Sequence, residues 1–163
     1  MTQELTQDLL HELFAYKDNQ LFWRSKRNPM IDLSKPAGTL NTKGYLRIGI
    51  NGKIYYAHRF VFLMHHGYLP EQIDHIDGNR ANNAIENLRP ATNSQNQQNR
   101  AKQKTNTSGY KGVHWRKDAG KWQAQIAING KRKHLGYFDT AEQAHEAYCK
   151  TAIELHGEFA NFG

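Results

Sequence analysis

Ile73-Asp74-His75-Ile76-Asp77-Gly78-Asn79 and, after Arg80-Ala81, Asn82-Asn83-Ala84-Ile85-Glu86-Asn87-Leu88-Arg89 decide how this chain is read. A short apolar/polar alternation reaches a histidine flanked by carboxylates and then breaks at Asp77-Gly78-Asn79, which are turn residues. A second short run, Ile85 to Pro90, ends at Ala91-Thr92. There a polar helix is expected, with Thr92 as its cap and Asn93 to Arg100 filling it. The local order is strand, loop, strand, helix.

A helix capped at Thr92 puts Asn96 about one turn in, where it can face back toward the strands. Asp74, His75 and Asn96 can then meet. A carboxylate oxygen and an amide oxygen are hard donors suited to Mg²⁺, which keeps several waters and takes few protein ligands. A neutral histidine beside such a metal can take a proton from water. A cation to stabilise charge on the phosphoryl and leaving oxygens, plus a base to make the nucleophile, is what phosphodiester hydrolysis needs. Adjacent strand residues point to opposite faces, so the strand must twist or end at Asp74-His75.

At these residues the chain resembles the HNH endonucleases, the ββα-metal nucleases, in their phage and homing branch. The resemblance runs from about Gly38 to Arg100. It rests on Asp74-His75, on Asn87 after eleven intervening residues, and on Asn96 after eight more. It implies His75 as general base, Asp74 and Asn96 as ligands of Mg²⁺ or another divalent cation such as Mn²⁺, and Asn87 as a brace for the loop that orients His75. Asn96 stands where many members carry histidine. Taken singly, each piece has a plain structural explanation: Asp-Gly-Asn is a turn, a strand histidine is solvated, and an Asn-rich stretch is a loop. Asp77, Asn79 and Asn82 are read as turn residues only.

Composition narrows the partner. The formal net charge is +7, and from Lys102 to Lys133 nine Lys/Arg face the single acid Asp118, which makes a local basic stripe. One cysteine, Cys149, excludes an intramolecular disulfide and a cysteine-based zinc knuckle; its helical setting predicts a small buried or half-buried hydrophobe. The longest apolar run, Phe60 to Met64, is far too short to span a bilayer, and no signal peptide is apparent. The expected setting is the cytoplasm of a bacterial or phage-infected cell.

Residues 1–37 form an introductory segment. Thr6 is expected to cap a short helix carrying Leu9, Leu10, Leu13 and Phe14. Phe14-Ala15-Tyr16 and Leu21-Phe22-Trp23 read as a hairpin around Lys17 to Gln20. Gly38 to Ala57 alternates as strands around the hairpin signal Asn51-Gly52. His58 to Gly67 reads as a dense apolar helix. Its histidines, His58, His65 and His66, are expected to face solvent or cap carbonyls. Ala101 to Ser108 reads as a linker of eight residues, able to span roughly 15 Å as a flexible coil.

From Gly109 the pattern changes. Lys111 to Arg116 is a short strand. Lys121 to Ile128 alternates with period two, Trp122, Ala124, Ile126 and Ile128 on one face, Lys121, Gln123, Gln125 and Ala127 on the other. Asn129-Gly130 is a hairpin turn, Lys131 to Phe138 a third strand, and Thr140 caps a helix. The helix buries Ala144, Ala147, Tyr148, Thr151, Ala152 and Leu155. The polar sheet face then holds groups that bind phosphates and read base edges.

This segment, about Ser108 to Phe162, resembles the plant Apetala-two (ethylene-response-factor) DNA-binding domain. The carrying residues are Tyr110-Lys111-Gly112-Val113, Leu135 to Glu142, Ala144, Ala147-Tyr148 and Asn161-Phe162. The resemblance implies DNA-facing positions at Lys111, His114, Arg116, Gln125, Arg132 and His134; Lys121 and Gln123 join them by strand alternation. His114 stands where arginine is usual and His134 where tryptophan is usual.

The resulting expectation is an α+β chain: an HNH nuclease module of the ββα-metal type over 38–100, then a linker at 101–108, then a three-stranded antiparallel sheet packed on one helix over 109–163. It acts as a monomer on double-stranded DNA, with no protein partner implied. Two rivals are a non-catalytic DNA-binding regulator with a vestigial nuclease domain and an RNA-directed nuclease. Because Asp74, His75 and Asn96 lie upstream of residue 109, the sequence predicts slow residual nicking by the first module alone.

Overall fold

The computed structural model describes residues 5–102, 105–128 and 130–163. Contacts between Cα atoms divide the chain into two compact units, Met1–Pro90 and Ala91–Gly163.

The first unit opens with α1 (Gln7–Leu13), whose cap Thr6 accepts from Leu9 N–H at 3.2 Å. The hairpin β1 (Phe14–Lys17) and β2 (Gln20–Trp23) comes next. Its turn is two residues, not four. Asp18 and Asn19 both adopt positive φ, 50° and 61°, which lets the strands pair from Lys17 to Gln20. Three antiparallel strands come after it, β3 (Thr39–Leu40), β4 (Leu46–Ile50) and β5 (Lys53–Tyr56), in the order β3-β4-β5. Along β4 the alternation holds: Ile48 and Ile50 are buried, Arg47 and Gly49 exposed.

Helix α2 (Ala57–His66) is the centre of this unit. Phe60, Val61 and Phe62 are at most 1% exposed and join Leu10, Phe14, Leu21 and Ile48 in one core. Burying a side chain of that size contributes about 1.5–3 kcal/mol. α1 is tied to α2 by Gln7 Nε2, which donates to Met64 O at 2.8 Å. Strand β6 (Gln72–His75) then pairs with β7 (Leu88–Ala91). The run expected to be a strand from Ile85 starts instead as a 3₁₀ turn, Ile85–Asn87.

The second unit begins with α3 (Asn93–Gln98), shorter than its polar composition implied. Thr92 and Gln95 form a capping box, each side chain accepting from the other's backbone N–H, at 3.2 and 2.8 Å. Strands β8 (Val113–Arg116), β9 (Lys121–Ile128) and β10 (Lys131–Phe138) form an antiparallel sheet in the order β10-β9-β8. The Asn129-Gly130 turn reading rests partly on Asn129, which lies outside the described residues, as do Gln103 and Lys104 of the linker reading.

Helix α4 (Ala141–His156) opens with a second capping box, Thr140 and Gln143, and lies on the sheet. Ala144 and Ala152 are fully buried, so helix and strands approach closely over Ala124, Val113 and Ile126. One detail differs from the sequence reading. Leu155 is 43% exposed, while His156 is buried and continues the row Ala144, Tyr148, Ala152 at intervals of four. Cys149 is half-buried, and burial raises its thiol pKa. Gly112 has φ +74°, and a Cβ there would meet Gln125 O at 2.6 Å and press into the Tyr148 ring. Only glycine permits that approach.

Candidate functional site

In the first unit β6 ends at His75. Ile76 N–H donates to Asn87 O at 2.9 Å, and Gly78 N–H donates to His75 O at 2.8 Å, which starts the turn. Asp74 and His75 are both buried, 3% and 5% exposed, with different partners. Asp74 Oδ2 accepts from Arg89 Nε at 2.9 Å and from Nη2 at 2.7 Å. The His75 ring meets Asn83, with Nε2 3.2 Å from Oδ1. An amide oxygen only accepts, so Nε2 carries the proton and the imidazole lone pair sits on Nδ1. Burial lowers the His75 pKa; the Asn83 hydrogen bond and the Asp77 and Asp74 charges oppose this without cancelling it. The ring is neutral at pH 7.

The loop after His75 is closed by Asn87 and Asp77. Asn87 Oδ1 accepts from Asp77 N–H at 3.0 Å, and Asn87 Nδ2 donates to Asp77 Oδ1 at 3.0 Å and to Asn82 O at 2.9 Å. The Asp77 carboxylate also accepts from Asn79 N–H and Asn82 Nδ2, each at 2.7 Å. Desolvation favours the protonated acid, but these donors together with His75 outweigh it and lower the Asp77 pKa. Asp77, Asn79 and Asn82 are therefore a hydrogen-bonded frame beside the histidine as well as turn residues.

His58 requires a correction. Instead of facing solvent at a helix end, as the sequence suggests, it is 7% exposed, with its ring edge-on to His75 at 5.0 Å and stacked on Tyr56 at 5.6 Å. Burial, then the charges His75 and Arg59 would carry beside it, push its pKa down to about 3. His65 and His66 are exposed, and His65 Nδ1 lies 2.8 Å from Val61 O. Tyr45 lies 5.5 Å from His58 and 6.1 Å from His75, under the Arg80 guanidinium at 4.9 Å. Sequence reasoning missed Asn83, Arg89, His58 and Tyr45. Asn83 and Arg89 stood inside the motif already singled out; His58 was read as a helix-end histidine with no catalytic role, and nothing local marked Tyr45.

Asn96 sits in the second unit, one turn into α3, its N–H donating to Thr92 O at 3.0 Å. The end of α3 is held within that unit. Lys111 Nζ donates to Gln98 O at 2.9 Å, and Asn161 Nδ2 donates to Asn99 O at 2.9 Å. Lys111, expected to face DNA, is turned onto this carbonyl, and burial lowers its pKa to about 8.

Asp74 belongs to the first unit and Asn96 to the second; a carboxylate oxygen and an amide oxygen are each hard donors of the kind Mg²⁺ takes. Among the described residues no group of three His, Cys, Asp or Glu side chains is arranged to hold a metal.

On the polar face of the sheet, register places Arg132 opposite Ala127, His134 opposite Gln125 and His114 opposite Gln123. Gln123 is buried and bridges the strands. Its Nε2 donates to His134 Nδ1 at 2.7 Å, and its Oε1 lies 2.8 Å from His114 Nε2. Arg116 donates to both carboxylate oxygens of Asp118, at 2.9 and 2.7 Å, and Lys121 pairs with Asp139. Gln125 is half-buried, whereas Arg132 is exposed and makes no salt bridge among the described residues. Trp122 packs on the helix side and meets Trp115 edge-on at 5.2 Å; Trp115 is 46% exposed.

Comparison with known proteins agrees with both halves. The profile of the family described as HNH endonuclease matches residues 55–98, and that described as AP2 domain matches residues 108–158. "Protein 3.8" of Escherichia phage T7 is 42% identical over 90 residues, covering 55% of this chain and 74% of that protein. "Uncharacterized HNH endonuclease L560" of Acanthamoeba polyphaga mimivirus is 40% identical over 106 residues, 63% of this chain and 54% of its own length. "APETALA2-like protein 2" of Oryza sativa subsp. indica is 39% identical over 54 residues, 33% of this chain and 12% of that protein. No solved structure gives a significant match. With its Asp-His strand end, its Asn-braced loop and a sheet backed by one helix, the chain belongs to the HNH endonuclease family and carries an AP2-type domain at its C-terminal end.

Proposed function

We propose that this protein is a metal-dependent DNA endonuclease of the homing type, directed to its target by the AP2-type domain. The observation that carries the reading is His75: buried, neutral, with Nε2 turned to Asn83 and its loop braced by Asn87. His75 takes a proton from a water through Nδ1. The resulting hydroxide attacks phosphorus, the bond to the leaving oxygen breaks and that oxygen takes a proton from water, giving a phosphomonoester and a hydroxyl, while His75 returns its proton to solvent. Asp74 and Asn96 would hold Mg²⁺ or another divalent cation such as Mn²⁺, which supplies charge stabilisation at the phosphoryl and leaving oxygens. Arg89 holds the Asp74 carboxylate in place.

Functionally we assign residues 1–37 as an introductory segment, 38–100 as the nuclease module, 101–108 as the connection and 109–163 as the DNA-binding module. The nuclease profile, 55–98, crosses the contact boundary at Pro90, so α3 belongs to the catalytic motif by sequence and to the second unit by packing. For double-stranded DNA, His114, Arg116, Lys121, Gln125, Arg132 and His134 offer contacts on the polar face. Gln123 and Lys111 act beneath it. Among the described residues no helix is long and apolar enough to cross a membrane. We place the protein as a monomer in the cytoplasm of a bacterial or phage-infected cell.

Supercoiled plasmid incubated with the purified protein and Mg²⁺ should be nicked, with EDTA or His75→Ala abolishing the activity and leaving duplex binding nearly intact. Full activity of His75→Ala would overturn the base assignment. A regulator with a vestigial nuclease would leave the plasmid untouched in every arm while still binding DNA. Parallel incubation with structured RNA tests the remaining rival.

A further inference from the structure

The second unit contains a groove of about 720 Å³, one side of which lies between the two family profiles. One wall is the segment after α3, with Arg100 and Lys102; the other is the sheet, with His114, Gln125 and Arg132, and Lys111 lies between. Four of these six side chains are Lys or Arg, and among the described residues no Asp or Glu lines the groove. Arg100 and Lys102 fall between the two profile matches, which end at residue 98 and begin at residue 108.

Charge pairing separates these cations from the others on the same sheet. Arg116 and Lys121 are already neutralised by Asp118 and Asp139. Arg100 and Arg132 are exposed and make no salt bridge among the described residues. Lys102 donates to a neutral carbonyl, Gly109 O, and makes no salt bridge among the described residues. Cations gathered in a concave surface without carboxylates focus a positive field there, and what they gain most from is a polyanion that releases its counterions. The volume is that of a site for an extended ligand segment and not for one ion.

We propose that this groove takes one sugar-phosphate strand of the duplex that the sheet reads, with Arg100 and Lys102 as phosphate contacts contributed by the connection between the two families' spans. The inference rests on the reading of the AP2-type domain as a DNA binder. The connection is then part of the DNA-binding surface and not a passive tether.

The test uses the full chain and Arg100→Ala, the double variant Arg100→Ala/Lys102→Ala, and Lys150→Ala, which removes an equal charge from α4 outside the groove. Duplex affinity is measured across a series of salt concentrations on a preferred and on a random sequence. Arg100→Ala should weaken both duplexes by the same factor and make the salt slope shallower by about 1, the double variant by about 2, and Lys150→Ala should leave the slope unchanged. Arg100 donates its backbone N–H to Gln97 O, a bond that alanine keeps, so thermal melting should be unchanged. Duplexes carrying one neutral methylphosphonate give the second readout. At least one position should weaken wild type and not Arg100→Ala. A slope in the double variant equal to that of Lys150→Ala overturns the proposal, as does a loss confined to the preferred sequence, which would make Arg100 a base reader. A wild-type chain that binds no duplex at all overturns the underlying DNA-binding reading instead.

Discussion

Asn87 and Asp77 exchange hydrogen bonds in both directions, Asp77 N–H to Asn87 Oδ1 and Asn87 Nδ2 to Asp77 Oδ1, each at 3.0 Å. The exchange pins both ends of the loop that begins at the candidate base. Asn87→Ala removes the partner of a backbone donor and of a carboxylate, a loss of about 1–3 kcal/mol, and should lower the nicking rate well beyond its effect on duplex affinity. Asn87→Asp sets two carboxylates face to face and should be worse than alanine at neutral pH. Thermal melts and nicking rates of both variants check this; an Asn87→Asp protein as active as wild type would show that the loop needs no such brace.

His58 makes stability fall with pH on the acid side. Its pKa is about 3 in the folded chain, against an ordinary histidine value near 6.5 in the unfolded one. The unfolded state therefore binds the extra proton between those values. The contribution is fully present above pH 6.5 and is lost as pH falls from there toward 3. His58→Phe should flatten the acid side of a plot of unfolding free energy against pH, by about one proton taken up on unfolding. An unchanged slope would mean that His58 is protonated in the folded protein.

Gly112→Ala should destabilise the second unit by about 2–4 kcal/mol, combining a left-handed backbone with a clash against the Tyr148 ring. Denaturant unfolding of the full chain measures it. Gly120, also at positive φ but with open space around its Cβ position, is the control, and Gly120→Ala should cost less.

Removing residues 109–163 should do more than weaken DNA binding. The sequence alone predicts slow residual nicking, since every candidate catalytic residue lies upstream. The structure changes that expectation: the deletion takes Lys111 and Asn161 from the end of α3, a six-residue helix too short to hold itself. Nicking should stay lost even at saturating DNA. In the full chain, Asn161→Ala should speed amide exchange at Asn96 about 2- to 10-fold, the loss of one hydrogen bond's net contribution. A truncated chain whose rate recovers at high DNA concentration would show that α3 needs no such support.

What was legible in the sequence was mostly local. Caps at Thr6, Thr92 and Thr140 arise from one side chain and the N–H groups two or three positions on, so composition reveals them. The alternation of Ile48 and Ile50 reports a strand face because the period is two. The ring of His58 against His75 joins residues in α2 and β6, and no period marks it. Arg89 on Asp74 spans fifteen positions, and only strand pairing brings them together. Leu155 misled because apolar character outweighed position. The i+4 row puts residue 156 against the sheet, so a histidine is buried and a leucine is not.

Packing places α3 with the C-terminal unit, although the nuclease profile claims it. Anyone exchanging the targeting domain for another would naturally splice within 101–108, where composition looks most like a spacer. Such a hybrid would inherit α3 without the groups that donate to its last carbonyls. A recombinant that keeps Lys111 and Asn161 and grafts new reading residues onto β8, β9 and β10 avoids this. Inheritance faces the same constraint: on the proposed reading, a new address comes more readily from changes on the polar face of the sheet than from a foreign module.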